Sequence, residues 1–110
     1  SQEQLDNLYH DKPDEFDYEW YMQKLSMEPF WLQGYNDLWQ YWIQEKNWSR
    51  LLELMNRLVY IFPIEIVLPK LEYLSKKINN DFLNRKVYQI KSTLTERKLM
   101  IQQAIQSGYL

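Results

Sequence analysis

The sequence predicts an all-α protein: a compact bundle of about five helices with a long C-terminal helix. Three observations carry this expectation. Apolar residues recur at intervals of three and four along most of the 110 residues, the period of a helix face. Glycine occurs only twice, so few positions break such a pattern. The one stretch with strand character, Ile61–Pro69, has no second strand-like run to pair with, and an isolated strand is not stable.

Residues 1–13 carry few apolar anchors and are expected to form a mobile acidic arm preceding a single helical domain over 14–110. A first helix opens at Asp14, with Pro13 just outside it and Asp14 as its cap. Glu15 and Asp17 would complement the positive end of its dipole. Phe16, Trp20, Lys24 and Met27 line one side, and Glu28-Pro29 ends the element. A second helix covers Phe30 to Lys46 with Trp31, Tyr35, Leu38 and Trp42 as its stripe. Gly34 weakens its first turn, so the regular part is expected from about Tyr35. Asn47 caps a third helix, whose Trp48, Leu51, Leu52, Met55, Leu58, Val59 and Phe62 form the cleanest stripe in the chain. Residues 61–69 read as a connection with a proline-marked helix start, and helix follows from about Lys70 to Ile78. Asn79-Asn80-Asp81 resets the chain, and the last helix runs to about Ser107 and stops at Gly108.

In that last helix Leu83, Val87, Ile90 and Leu94 recur at helical spacing, and the row resumes at Ile101 and Ile105 after Arg97 and Lys98. At about 26 residues it exceeds most globular helices, so it either crosses the domain or projects from it. A homo-oligomer through this helix is therefore one expectation. The helix pairs around Asn47 and after Pro63 are loosely similar to the units of HEAT or TPR α-solenoids, an alternative fold. Irregular spacing and room for barely two repeats weigh against it.

The composition removes several chemistries. With no cysteine there is no disulfide, thiol nucleophile or cysteine-ligated metal. Two glycines, Gly34 and Gly108, build no phosphate-cradling loop. His10 is the sole histidine, and its place on the arm suits neither a triad nor a metal site. Asp14, Glu15, Asp17 and Glu19 are crowded carboxylates without the glycine turn of a calcium loop. No catalytic residue, cofactor or metal is assigned, and the chain is expected not to be an enzyme. No apolar run spans a bilayer, and Ser1–Asp6 shows no signal-peptide pattern. An intracellular, cytoplasmic location is the expectation.

Two features point to partners. Aromatics reach 16%, with five Trp and nine Tyr, residue types that anchor protein interfaces. Charge is also divided. Residues 1–45 hold ten Asp/Glu and two Lys (−8), whereas residues 46–110 hold eleven Lys/Arg and five Asp/Glu (+6). The expected function is a protein-interaction, adaptor or regulatory domain. Its acidic segment would steer a basic partner onto anchors among Phe16, Tyr18, Trp20, Tyr21, Trp39 and Tyr41. The alternative is a nucleic-acid-associated protein touching phosphates through Lys76, Lys77, Arg85, Lys86, Lys91 and Lys98, although a sequence pI near 5.4 is low for such a binder.

Overall fold

The computed structural model describes residues 12–109. They form five helices and no strand, as the spacing predicts. The described helices group into two compact units, divided between Lys46 and Asn47. His10 and residues 1–11 of the expected arm lie outside the described residues.

The first unit is a helical hairpin of α1 (Tyr18–Met27) and α2 (Leu32–Gln44). The cap of α1 is Asp17, not Asp14: its carboxylate accepts from the Trp20 N–H at 3.2 Å. Residues 14–17 stay outside the helix, and Phe16 is inserted against the hairpin instead. The turn is closed by Trp31 N–H donating to Glu28 O at 3.1 Å and Tyr35 Oη donating to Pro29 O at 3.1 Å. Helix α2 begins at Leu32, three residues before the regular part expected from Gly34's propensity. Packing explains this, because a Cβ at Gly34 would overlap the Trp31 indole, with Cδ2 only 2.7 Å away. Glycine lets the ring lie on the first turn of the helix. Tyr21, Leu25, Tyr35, Leu38 and Trp39 are the buried side chains of this unit.

The second unit packs α3 (Trp48–Ile61), α4 (Ile64–Lys77) and α5 (Asp81–Gln106) each against the other two. Asn47 caps α3 through a bond from Arg50 N–H, and Asn80 caps α5 through Leu83 N–H. Both caps stand where turn chemistry places them. Helix α4 starts at Ile64, well before the expected Lys70. Pro63 supplies its cap position, and its carbonyl accepts from Ile66 and Val67 N–H. Pro69 then lies inside the helix rather than in its first turn. The missing N–H deprives the Glu65 carbonyl of a partner, but both residues are exposed, so water can donate to the carbonyl in its place.

The core is aliphatic: Leu51, Met55, Leu58, Val67, Leu71 and Leu74 are wholly buried, joined by Val87, Ile90 and Leu94 from α5. Arg97, which interrupts the apolar row in the sequence, has a definite task. Its Nη1 donates to Val59 O at 2.9 Å and Phe62 O at 2.7 Å, closing the C-terminal end of α3. A cation there also opposes the negative end of that helix dipole. Beyond it, residues 98–106 carry no buried side chain.

Candidate partner-binding site

The aromatic residues of the first unit converge. Four rings form a column across the hairpin: Tyr41 on Phe16 (centroids 3.6 Å apart, planes 4° apart), Phe16 on Tyr21 (5.4 Å, 23°), and Tyr21 on Trp31 (5.9 Å, 15°). Lys24 closes the end of the column with Nζ 3.9 Å from the Trp31 ring centre and 5.3 Å from Trp20. A cation over an indole face is favourable by about 0.5–2 kcal/mol, depending on solvent access. Other rings meet the column edge-on. Trp20 lies 4.9 Å from Tyr21 at 88°, and Trp42 lies 5.7 Å from Phe16 at 73°. Tyr18 stands 5.9 Å from Trp42.

A polar hub fixes the column. Asp37 in α2 accepts from Tyr21 Oη at 2.8 Å, Gln33 Nε2 at 2.8 Å and Lys12 Nζ at 3.2 Å. Burial alone would push the Asp37 carboxyl up. The three donors and the Lys12 charge outweigh it and hold the group below the ordinary aspartate value. Tyr21 is driven the other way, first by burial and then by its bond to a carboxylate, so its hydroxyl stays protonated well above the usual range. Lys12 belongs to the expected arm and is tied to the hairpin through this hub. One group is left over: Trp20 Nε1 is buried without an acceptor among the described residues, at a cost of about 1–3 kcal/mol.

The six anchors named from the sequence therefore separate. Phe16, Tyr18, Trp20 and Tyr41 remain partly open, while Tyr21 and Trp39 are buried in the first unit, 4% and 9% exposed. Tyr21 is committed to the hub and Trp39 to the core, so neither is available to a partner in this conformation. Sequence reasoning put Lys24 on one side with Phe16 and Trp20, and Trp31 in the stripe of the second helix, without naming either as a site residue, and it missed Asp37. The signals were local: Lys24 stands four residues after Trp20, Gln33 four before Asp37, and Gly34 three after Trp31, all same-face spacings on a helix or its entry.

Around the rings lie the exposed carboxylates of Asp14, Glu15, Asp17 and Glu19. Asp17 is engaged as a cap. Asp14, Glu15 and Glu19 form no salt bridge among the described residues. No Lys or Arg among the described residues pairs with them, and their side chains are open to solvent.

The basic residues of the second unit do not converge in the same way. Lys76 and Lys77 end α4, and Lys77 leans on the Tyr73 ring at 5.7 Å. Along α5, a helical rotation of ~100° per residue places Lys91 and Lys98 on one side, Lys86 on a second and Arg85 on a third. Lys86 sits 4.7 Å over the Phe82 ring, beside a shallow groove lined by Asn56, Gln89, Ile90 and Thr93. Among the described residues no helix is long and apolar enough to cross a membrane.

Comparison of the chain with protein-family models, with curated proteins and with solved structures finds no match.

Proposed function

We propose that this chain is a non-catalytic protein-interaction module whose first unit receives a basic segment of a partner protein. The observation that carries the reading is the pairing of exposed carboxylates without a salt bridge among the described residues, Asp14, Glu15 and Glu19, with the partly open rings of Phe16, Tyr18, Trp20 and Tyr41. Such a surface attracts cations over distance and then offers ring edges and faces for Lys or Arg stems. The hairpin itself provides a precedent, since Lys24 already uses Trp31 in this manner. The column and the Asp37 hub hold the rings in place before any partner arrives, so little side-chain entropy is lost on binding.

The test has two steps. Tagged chain is used to capture partners from lysate of its source with and without nuclease, and the captured protein is titrated against wild-type chain and the triple variant Asp14→Asn, Glu15→Gln, Glu19→Gln. Asp17 stays in place as the cap of α1, so this variant keeps the helix and loses only charge. A partner that survives nuclease, binds the variant several-fold more weakly and shows a flatter salt dependence supports the reading. Equal affinity and equal salt dependence overturn it. Capture that vanishes with nuclease redirects attention to Lys86 and its groove, and to Lys76, Lys77, Arg85, Lys91 and Lys98, as phosphate contacts.

A further inference from the structure

We infer that the overhanging end of α5 is a self-association surface, on which a second copy of this chain lays its own α5 antiparallel. Three features of the helix lead there. First, the seam that α5 buries against α3 and α4 does not end where those helices do. Val87, Ile90 and Leu94 are 2–4% exposed, and the same line continues through Arg97 to Ile101 and Ala104 in unchanged register. Beside it, Met100 and Ile105 widen the strip to roughly 140° of the helix circumference, and Leu99 faces away. Met100 is 69% exposed, Ile101 39% and Ile105 57%. The face that is core in the first half of the helix is bare in the second.

Second, the charge on this stretch suits its own image. From residue 98 to residue 109 the only charged side chain is Lys98, so two copies meet without the repulsion that the acidic first unit would impose. Parallel pairing would set Lys98 on Lys98. Antiparallel pairing centred on Ile101 instead sets Lys98 beside Ala104 of the partner copy, in the last turns of its helix. Those turns carry no basic residue of their own, and a cation there is favourable against the negative end of the dipole.

Third, the lengths match. With Ile101 on the two-fold axis, residue 98 of one copy faces 104 of the other, and 96 faces 106, where the helix ends. Each helix therefore stops just past Leu94, where the partner's buried seam ends, and neither helix overshoots. The paired strips bury on the order of 1,000 Å² in total, the low end of specific interfaces. The dimer is accordingly weak and concentration-dependent, and it is isologous, which closes the assembly at two copies.

Sedimentation velocity on the full chain from about 5 to about 500 µM brackets an interface of this class. The expected result is a monomer–dimer shift across that range, abolished by Ile101→Glu with Ile105→Glu. Both side chains are exposed, so helix content and the thermal unfolding midpoint should hold. A monomer throughout, an association that the double variant leaves intact, or a species larger than a dimer overturns the inference. Because the chain lacks cysteine, a single introduced thiol reads the register. Ile101→Cys should cross-link readily between copies on mild oxidation, whereas Ser107→Cys should not, since antiparallel pairing holds those positions about 18 Å apart. Cross-linking through residue 107 in preference to 101 also overturns the antiparallel register.

Discussion

The two units answer the same problem with different chemistry. The second unit has three helices and can surround an aliphatic seam, so Leu, Val, Ile and Met suffice and fixed polar contacts stay at its margins. The first unit has two helices, which leave every buried residue close to an edge. It fills that space with rings, which bring large area per residue, and it locks them with a carboxylate that accepts three donors. Aliphatic burial depends little on pH and tolerates no cavity. A ring-and-carboxylate assembly depends on pH and on exact ring placement. The two units should therefore fail under different insults.

The largest expected effect is in the aliphatic unit. Leu58 is wholly buried, and Leu58→Ala should cost about 2–5 kcal/mol through lost transfer energy and the cavity left behind. Chemical denaturation followed by helix circular dichroism measures it. A loss under about 1 kcal/mol would mean that the seam is loosely packed and the contrast with the first unit is false.

Next comes Gly34→Ala in the aromatic unit. Helix propensity alone predicts a gain of up to about 1 kcal/mol. Against that, the new methyl would occupy the volume of Trp31, whose Cδ2 lies 2.7 Å from the ideal Cβ position. Overpacking of this kind costs about 1–3 kcal/mol, so the net sign should be destabilising. Displacing Trp31 also uncouples Lys24 and Tyr21 from it, which near-UV circular dichroism and tryptophan fluorescence report directly. A variant as stable as wild type, with unchanged aromatic spectra, would show that the ring is not held on the glycine.

These two positions show what the sequence made legible. Leu58 sits in a stripe of seven apolar residues, and a period repeated that often identifies a buried helix face without knowledge of its neighbours. The caps at Asn47 and Asn80 and the stop at Gly108 were equally readable, because capping is a local reaction between a side chain and its next three residues. Gly34 shows the limit. Propensity read it as a weak first turn, whereas its use is to admit a ring from three residues earlier. Pro69 is a similar case, tolerated inside α4 because the orphaned carbonyl faces water. The site was half legible for the same reason. Composition pointed to the rings and the acidic segment, but which rings stay open depends on tertiary contacts. Tyr21 and Trp39 carry the same chemistry as Tyr41 and Trp20, and burial alone separates them.

The hub makes the first unit sensitive at both ends of the pH scale. Asp37 titrates below its ordinary value in the folded chain, so its contribution is complete above the unfolded value near 3.9. It is lost as pH falls through the folded value. Tyr21 is raised, so its contribution is complete below the unfolded value near 10 and is lost as pH rises towards the folded one. Stability profiles of Asp37→Asn and Tyr21→Phe should each lie below wild type at neutral pH. The first should lose less than wild type in acid, and the second less in alkali. An Asp37→Asn profile parallel to wild type below pH 4 would remove the hub as the source of acid sensitivity.

The smallest effect is expected at Lys46, the last residue of the first unit. It is the one non-glycine residue with positive φ among those described, at 53°, and its N–H closes α2 by donating to Ile43 O at 3.1 Å. The left-handed conformation costs an L-residue about 1–2 kcal/mol. Glycine removes that strain but gives back about 0.4–1 kcal/mol through the entropy of the unfolded chain. It also removes a cation beside the C-terminal carbonyls of α2, whose own last turn has no basic residue, a loss of a few tenths of a kcal/mol at an exposed site. At the midpoints of these ranges Lys46→Gly should therefore stabilise by about 0.5 kcal/mol. Lys46→Ala keeps the strain and loses the charge, so it should destabilise by a few tenths of a kcal/mol. The order Gly above Lys above Ala in thermal midpoint would show strain outweighing charge at this junction. With Lys uppermost, the dipole would be the larger of the two.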